Sequence, residues 1–276
     1  MLKREDFRIR DPFILTDREN GCYYMYGTTA LAPNALGAFN SFSVYKSYDL
    51  ELFCEPKVIF DGGEVGFWAD RDFWAAEVHK YNGKYYLFGS VKANGKNRTT
   101  QIFVSDTPDG RFVPVSEPVT PKGWECLDGT LYIEDGAPYM VFCHEWMQVN
   151  DGEMWALPLS DDLSRAVGEP IYMFKASDNP EVTEYMPGQY VTDGPFFYRE
   201  DGALRMIWSS YSNGRYVVLE AESESGTVKG PWKHHGSRYG FDGGHAMLFE
   251  GLDGRRMIAL HSPNRAGAER AKFMEY

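Results

Sequence analysis

Five side chains able to hold or move a proton stand at the head of five similar apolar segments: Asp11, Glu77, Asp128, Asp193 and His245. Brought together around one pocket, four carboxylates and an imidazole would be electrostatically costly, because each ionised carboxylate raises the pKa of its neighbours. Scaffolding alone does not justify such a cluster. General acid–base chemistry does, since it needs one carboxyl kept protonated beside another kept ionised at the same pH.

The elements that would bring them together are legible as a repeat. Each copy is a short apolar strand, a polar turn with glycine, and a second apolar or aromatic strand. The first begins at Asp11, turns at Asn20-Gly21 and returns over 22–27; the second begins at Glu77, turns at Asn82-Gly83 and returns over 84–89. The third begins at Gly129, turns at Asp135-Gly136 and returns over 138–143. The fourth and fifth begin at Gly194 and His245, turn at Asp201-Gly202 and Asp253-Gly254, and return over 204–209 and 256–261. Asn-Gly or Asp-Gly between β-formers predicts a type I′ hairpin, whose two central residues both need positive φ.

Further strands are expected over 42–46, 101–105, 154–157 and 216–220. Copies roughly 50–65 residues apart suit the blades of a propeller, each a four-stranded antiparallel sheet. The reading is therefore all-β, a five-bladed β-propeller filling residues 1–276 as one domain; hairpins alone would also suit a β-sandwich. In a propeller the innermost strands line a central channel, so polar residues at their ends converge on one pocket. After residues 271–276 little chain is left for a fourth strand, so the fifth blade is expected either to be incomplete or to be completed by residues near Phe7, Arg8 and Ile9.

Composition narrows the partners. A net charge of −12 argues against nucleic acid and anionic membrane surfaces, both of which need a basic patch. No apolar stretch approaches the roughly 18 residues of a membrane span, and residues 1–6 lack the apolar core of a signal peptide, so a cytoplasmic protein is expected. Cys22, Cys54, Cys126 and Cys143 have no metal-like spacing and read as buried reduced thiols. Aromatic residues make up 16%, more than strands need, and the surplus suits stacking on sugar rings.

Five segments carry a resemblance: Arg10-Asp11-Pro12-Phe13, Trp74-Ala75-Ala76-Glu77-Val78, Leu127-Asp128-Gly129-Thr130, Thr192-Asp193-Gly194-Pro195-Phe196 and Gly244-His245. In this order, over almost the whole chain, they resemble the successive signatures of glycoside hydrolase family 43. The resemblance implies that Asp11 is the general base that activates water and that Asp128 tunes and orients the acid. The family's general acid is a glutamate directly before Gly-Pro, where this chain has Asp193, one methylene shorter. Glu145 and Glu184 are the substitutes considered. Inverting glycoside cleavage requires such a set, with one protonated carboxyl for the leaving oxygen and one ionised carboxylate for water.

The other expectations are more local. Trp68, Trp74, Trp124, Trp146 and Trp208 read as core aromatics, with Trp74 and Trp146 near enough to the blade starts to stack on a sugar. Glu77, His245 and Arg215 are further candidates for substrate contact, although a solvated turn charge suits Arg215 as well. No cofactor is required; a histidine at position 245 in the family helps some members hold calcium, so a structural calcium at the axis, touching His245, is admitted.

The expected reaction is inverting removal of a terminal α-L-arabinofuranosyl or β-xylosyl residue from an oligo- or polysaccharide, with galactosyl or galactofuranosyl substrates also open. One rival is a propeller phosphorylase of the mannoside type, against which the sequence shows no Arg/His cluster at the blade starts. The other is a catalytically inactive sugar-binding propeller, suggested by Asp193.

Overall fold

Aromatic and β-branched runs fit a pleated surface buried on both sides, and they form the strands here. The computed structural model describes residues 1–29 and 40–276. Five antiparallel sheets follow one another along the chain. Their innermost strands are Ile9–Asp17, Arg71–Tyr81, Cys126–Glu134, Asp193–Glu200 and Gly244–Glu250. Each of these packs against the next, and the fifth returns to the first, which closes the ring. The five-bladed β-propeller read from the repeat is the fold.

The turns obey the expected chemistry in three of five hairpins. Asn82-Gly83, Asp135-Gly136 and Asp201-Gly202 all take positive φ at both positions. At Asn20-Gly21 and Asp253-Gly254 only the glycine does. These two loops are longer, and a side chain braces each: Asp17 accepts the Asn20 N–H at 3.0 Å, and Asp253 accepts the Arg255 N–H at 3.1 Å. Their type I′ prediction was wrong because an aspartate cap holds a wider turn.

The fifth blade has three strands, Gly244–Glu250, Arg256–Ser262 and Arg270–Glu275. Among the described residues no N-terminal segment completes it; Leu2–Lys3 pairs instead with Leu52–Phe53 in the first blade. Two helices of four residues, Gly62–Val65 and Trp146–Val149, interrupt the β structure.

Both faces of the middle strands are buried, and alternation assigns each residue to one neighbour. In the third blade Phe142 packs toward the second, with Phe88 and Ile102, while Val141 and Cys143 pack toward the fourth, with Met206 and Trp208. In the fourth blade Ile207 faces the fifth, with Ile258 and Leu260. Cys22, Cys126 and Cys143 are buried in these layers, and Cys54 is half-buried. Trp208 is fully buried between blades three and four. Trp208→Ala is therefore expected to cost about 3–5 kcal/mol of stability, read as a lower midpoint in chemical denaturation. A midpoint within error of the parent would mean that this layer does not hold the ring together.

Candidate active site

A β-bulge lies near the start of every innermost strand. The pairing register slips between Arg10 and Phe13, Trp74 and Glu77, Leu127 and Thr130, Asp193 and Phe196, and Gly244 and Met247. At the slip one residue takes left-handed φ: Asp11 (56°), Ala75 (45°), Asp128 (55°), Gly194 (50°) or His245 (51°). Bulges re-aim side chains beside functional sites, and left-handed φ on a non-glycine residue costs about 1 kcal/mol or more. Three of the five residues read from the sequence thus occupy equivalent positions. Asp193 stands one residue before its bulge and Glu77 two after, so the structural equivalents in blades two and four are Ala75 and Gly194.

The bulge N–H groups are held by the preceding blade. Ala75 donates to Thr28 Oγ1 at 2.8 Å, Asp128 to Ser90 Oγ at 3.0 Å, His245 to Ser209 Oγ at 2.7 Å and Asp11 to His261 Nδ1 at 3.2 Å. These acceptors pair in register with the residue before each bulge in their own blades. In the third blade that position is Cys143, opposite Leu127. Sulfur is a weak acceptor, and the Asp128 carboxylate replaces it, taking the Gly194 N–H on Oδ2 at 3.1 Å.

His261 is fully buried, and its Nε2 lies 3.2 Å from Asn264 Oδ1, an acceptor, which leaves Nδ1 free to accept from Asp11. Burial lowers the His261 pKa to about 4, against an attraction from Asp11 that raises it. A histidine depressed from 6.5 to about 4 contributes stability that is complete above the unfolded value and lost as pH falls toward the folded one. Between pH 7 and pH 4 the loss is expected to reach roughly 3 kcal/mol. Denaturation at both pH values, compared with His261→Gln, checks this; an equal pH slope in the two proteins would rule His261 out.

The bulges open on a cavity of about 440 Å³ at one end of the axis. Asp11, Asp128, Asp193, Glu145, Trp74, Trp146 and His245 line it. His245 Nδ1 bridges the carboxylates, 3.3 Å from Asp11 and 3.7 Å from Asp128. Burial pushes the Asp11 carboxyl up, but His245, Arg10 and His261, with the 2.8 Å hydrogen bond from Thr28, outweigh it and leave its pKa below the ordinary value. Asp11 Oδ1 is buried without a hydrogen-bond partner. Burial and then the Asp11 charge push Asp128 well up. Burial and then Asp128 raise Asp193 to about 8, against His245, Arg10 and the Tyr216 hydroxyl, which donates to Asp193 Oδ2 at 2.9 Å. One carboxyl is held ionised and two are held toward protonation around the same space.

Other expected residues lie differently. Glu145 forms a buried ion pair with Arg98, whose second nitrogen reaches Asp72 at 2.8 Å. Burial raises its pKa against that pairing, and the guanidinium occupies the carboxylate that a free acid would need. Glu184 accepts from Tyr190 at 3.2 Å and does not line the cavity. Glu77 turns to His79 Nε2 at 3.0 Å, and neither it nor the exposed Arg215 lines the cavity. Trp74 is 37% exposed, one face covered by Arg98 at 4.3 Å, and Trp146 packs edge-on to Tyr185.

The sequence reading missed Thr28, Tyr216, His261 and the arginines. Contrary to the expectation of no basic cluster, Arg8, Arg10 and Arg98 all line the cavity. Each is paired: Arg8 and Arg10 with Glu269 at 2.9 and 3.7 Å, Arg10 also with Asp11 at 3.4 Å, and Arg98 as above. The repeated hydroxyl after glycine, in Gly27-Thr28 and Gly89-Ser90, was a signal for two of the missed acceptors. Among the described residues no group of three or more His, Cys, Asp or Glu side chains is disposed to hold a metal. Calcium prefers about six to eight oxygen donors, so His245 and its neighbours do not fit a calcium site made by protein donors alone. No described helix is long and apolar enough to cross a membrane.

Known proteins share this fold. The crystal structure of an endo-arabinase from Bacteroides thetaiotaomicron VPI-5482 superposes with a TM-score of 0.91 and 40% identity, covering 100% of this chain and 96% of that one. The extracellular endo-alpha-(1->5)-L-arabinanase 1 of Bacillus subtilis (strain 168) is 24% identical over 267 residues, 89% of this chain and 73% of the relative. Xylosidase/arabinosidase 43A of Humicola insolens is 28% identical over 137 residues, 46% of this chain. The match spans only 41% of the Humicola protein, and 58% of a probable arabinan endo-1,5-alpha-L-arabinosidase A from Emericella nidulans. The sequence pattern of Glycosyl hydrolases family 43 matches residues 6–274, and the chain belongs to that family.

Proposed function

We propose that the protein hydrolyses α-L-arabinofuranosyl bonds with inversion, releasing terminal residues from an oligo- or polysaccharide, with β-xylosyl bonds as the second substrate. The observation that carries this reading is the divided protonation of one carboxylate set, Asp11 held low and Asp193 held high, across a sugar-sized cavity. The relatives named above, arabinanases and a xylosidase/arabinosidase, support the choice of sugar.

Asp11 acts as general base: Thr28 fixes Oδ2, and Oδ1, which faces His245 and Arg10 but accepts no hydrogen bond, takes the proton of the attacking water. Asp193 acts as general acid. Tyr216 donates to its Oδ2, leaving Oδ1 to carry the hydrogen that passes to the leaving oxygen. Asp128 lines the same cavity; repulsion between its carboxyl and that of Asp193 opposes ionisation of both at once, and its bond to the Gly194 N–H fixes the backbone next to the acid. Inversion needs water and leaving group on opposite faces of the sugar.

Product analysis tests the reading. Arabino-oligosaccharides should release arabinose of inverted anomeric configuration, seen by NMR before mutarotation, and no internal fragments. Retained configuration would overturn the mechanism, and internal fragments the terminal action. The cavity arginines are the one feature favouring phosphorolysis, but each is already paired with a carboxylate. Full turnover is therefore expected without phosphate. An inactive sugar-binding module would release no product at all.

A further inference from the structure

A second groove adjoins the catalytic cavity. It encloses about 350 Å³ on the outer side of blade two, and Arg98 lines both spaces, so one side chain forms the partition. Trp68 and Trp124, both half-buried, line the groove. Trp124 stacks on His144 at 4.2 Å with 5° between the planes, and Trp68 lies under Lys96 at 5.0 Å, so both rings are braced.

Its charge runs against that of the chain. Lys96 and Lys122 are exposed there with Glu117 as the carboxylate of the lining. Nearby cations are taken, Lys92 by Glu125 and Arg98 by Asp72 and Glu145, whereas neither Lys96 nor Lys122 forms an ion pair among the described residues. On a chain of net charge −12, two unpaired ammonium groups between two indoles form a local site for an anion with an apolar face. Sugars with a carboxylate have both properties.

We propose that this groove binds a uronic acid residue of the glycan whose terminal sugar enters the catalytic cavity. The path of the glycan past Arg98 rests on the hydrolytic reading above; the affinity of the groove for uronates does not.

The test is titration calorimetry of the intact protein with trigalacturonate and with a glucuronic-acid-substituted xylotriose, beside hydrolysis of a neutral aryl arabinofuranoside. At least one acidic ligand should bind, more weakly as salt rises. In Lys96→Gln/Lys122→Gln its affinity should fall about five- to tenfold with neutral hydrolysis unchanged. No binding of either ligand, or equal binding by the double variant, overturns the proposal. Competition with the aryl glycoside that is just as strong in the double variant also overturns it, because the acidic ligand would then be held by the catalytic cavity alone. Uronate binding without arabinofuranoside hydrolysis would leave the groove standing and sink the catalytic reading instead.

Discussion

Asp11→Asn is expected to lower kcat by about three orders of magnitude, the middle of the range for a lost general base, while the fold survives. The amide is nearly isosteric, and its single oxygen can still accept the Thr28 hydrogen bond, so a structural role alone would leave most of the activity. Loss of the base removes only the ability to deprotonate water. Azide needs no deprotonation, so it should restore turnover in this variant and give a glycosyl azide of inverted configuration. Two results would remove Asp11 from the role: near-parental kcat, or a lost rate that azide leaves unchanged in a folded protein. In the parent enzyme the acid limb of the pH–rate profile should lie below the ordinary carboxylate range, because His245 and Arg10 hold Asp11 ionised.

Asp193→Asn is the second large effect, and its signature is different. A general acid matters in proportion to how badly the leaving group needs a proton. The variant should therefore lose about 10²–10⁴-fold on natural glycosides and much less on a dinitrophenyl glycoside. The pH profile supplies the sign. Asp193 is protonated up to about 8 and works in that form, so parental activity should fall as pH rises through about 8. The variant has no such group and should lose that limb. Equal losses on good and poor leaving groups, with the alkaline limb intact, would exclude Asp193 as the acid.

The repeat, the hairpins and the inner strands were legible because glycine turns and apolar alternation are local properties. Asp11, Asp128 and His245 fell into place because each carries its functional group on the bulge residue itself. Glu77 and Asp193 were matched to them by residue type, whereas the backbone repeats by conformation, and Ala75 and Gly194 carry no group that marks the position. Thr28, His261 and Arg98 stayed hidden for another reason: their importance lies in contacts across blades, with partners such as Asp11 some 250 residues from His261, while Tyr216 reaches Asp193 from two strands away in its own blade. Glu145 looked like a free acid until the structure placed Arg98 against it.

Four bulge residues are fastened through backbone N–H groups to a side chain of the neighbouring blade, so their own side chains carry none of the fastening. The ring can accordingly present a carboxylate, a methyl group or an imidazole at interchangeable sockets without loosening. Asp128 breaks that independence: because Cys143 cannot grip the next blade, one carboxylate both serves the chemistry and latches the fourth blade at Gly194. Of the four sockets that carry a side chain, the third is the one whose contents cannot be exchanged without moving the frame.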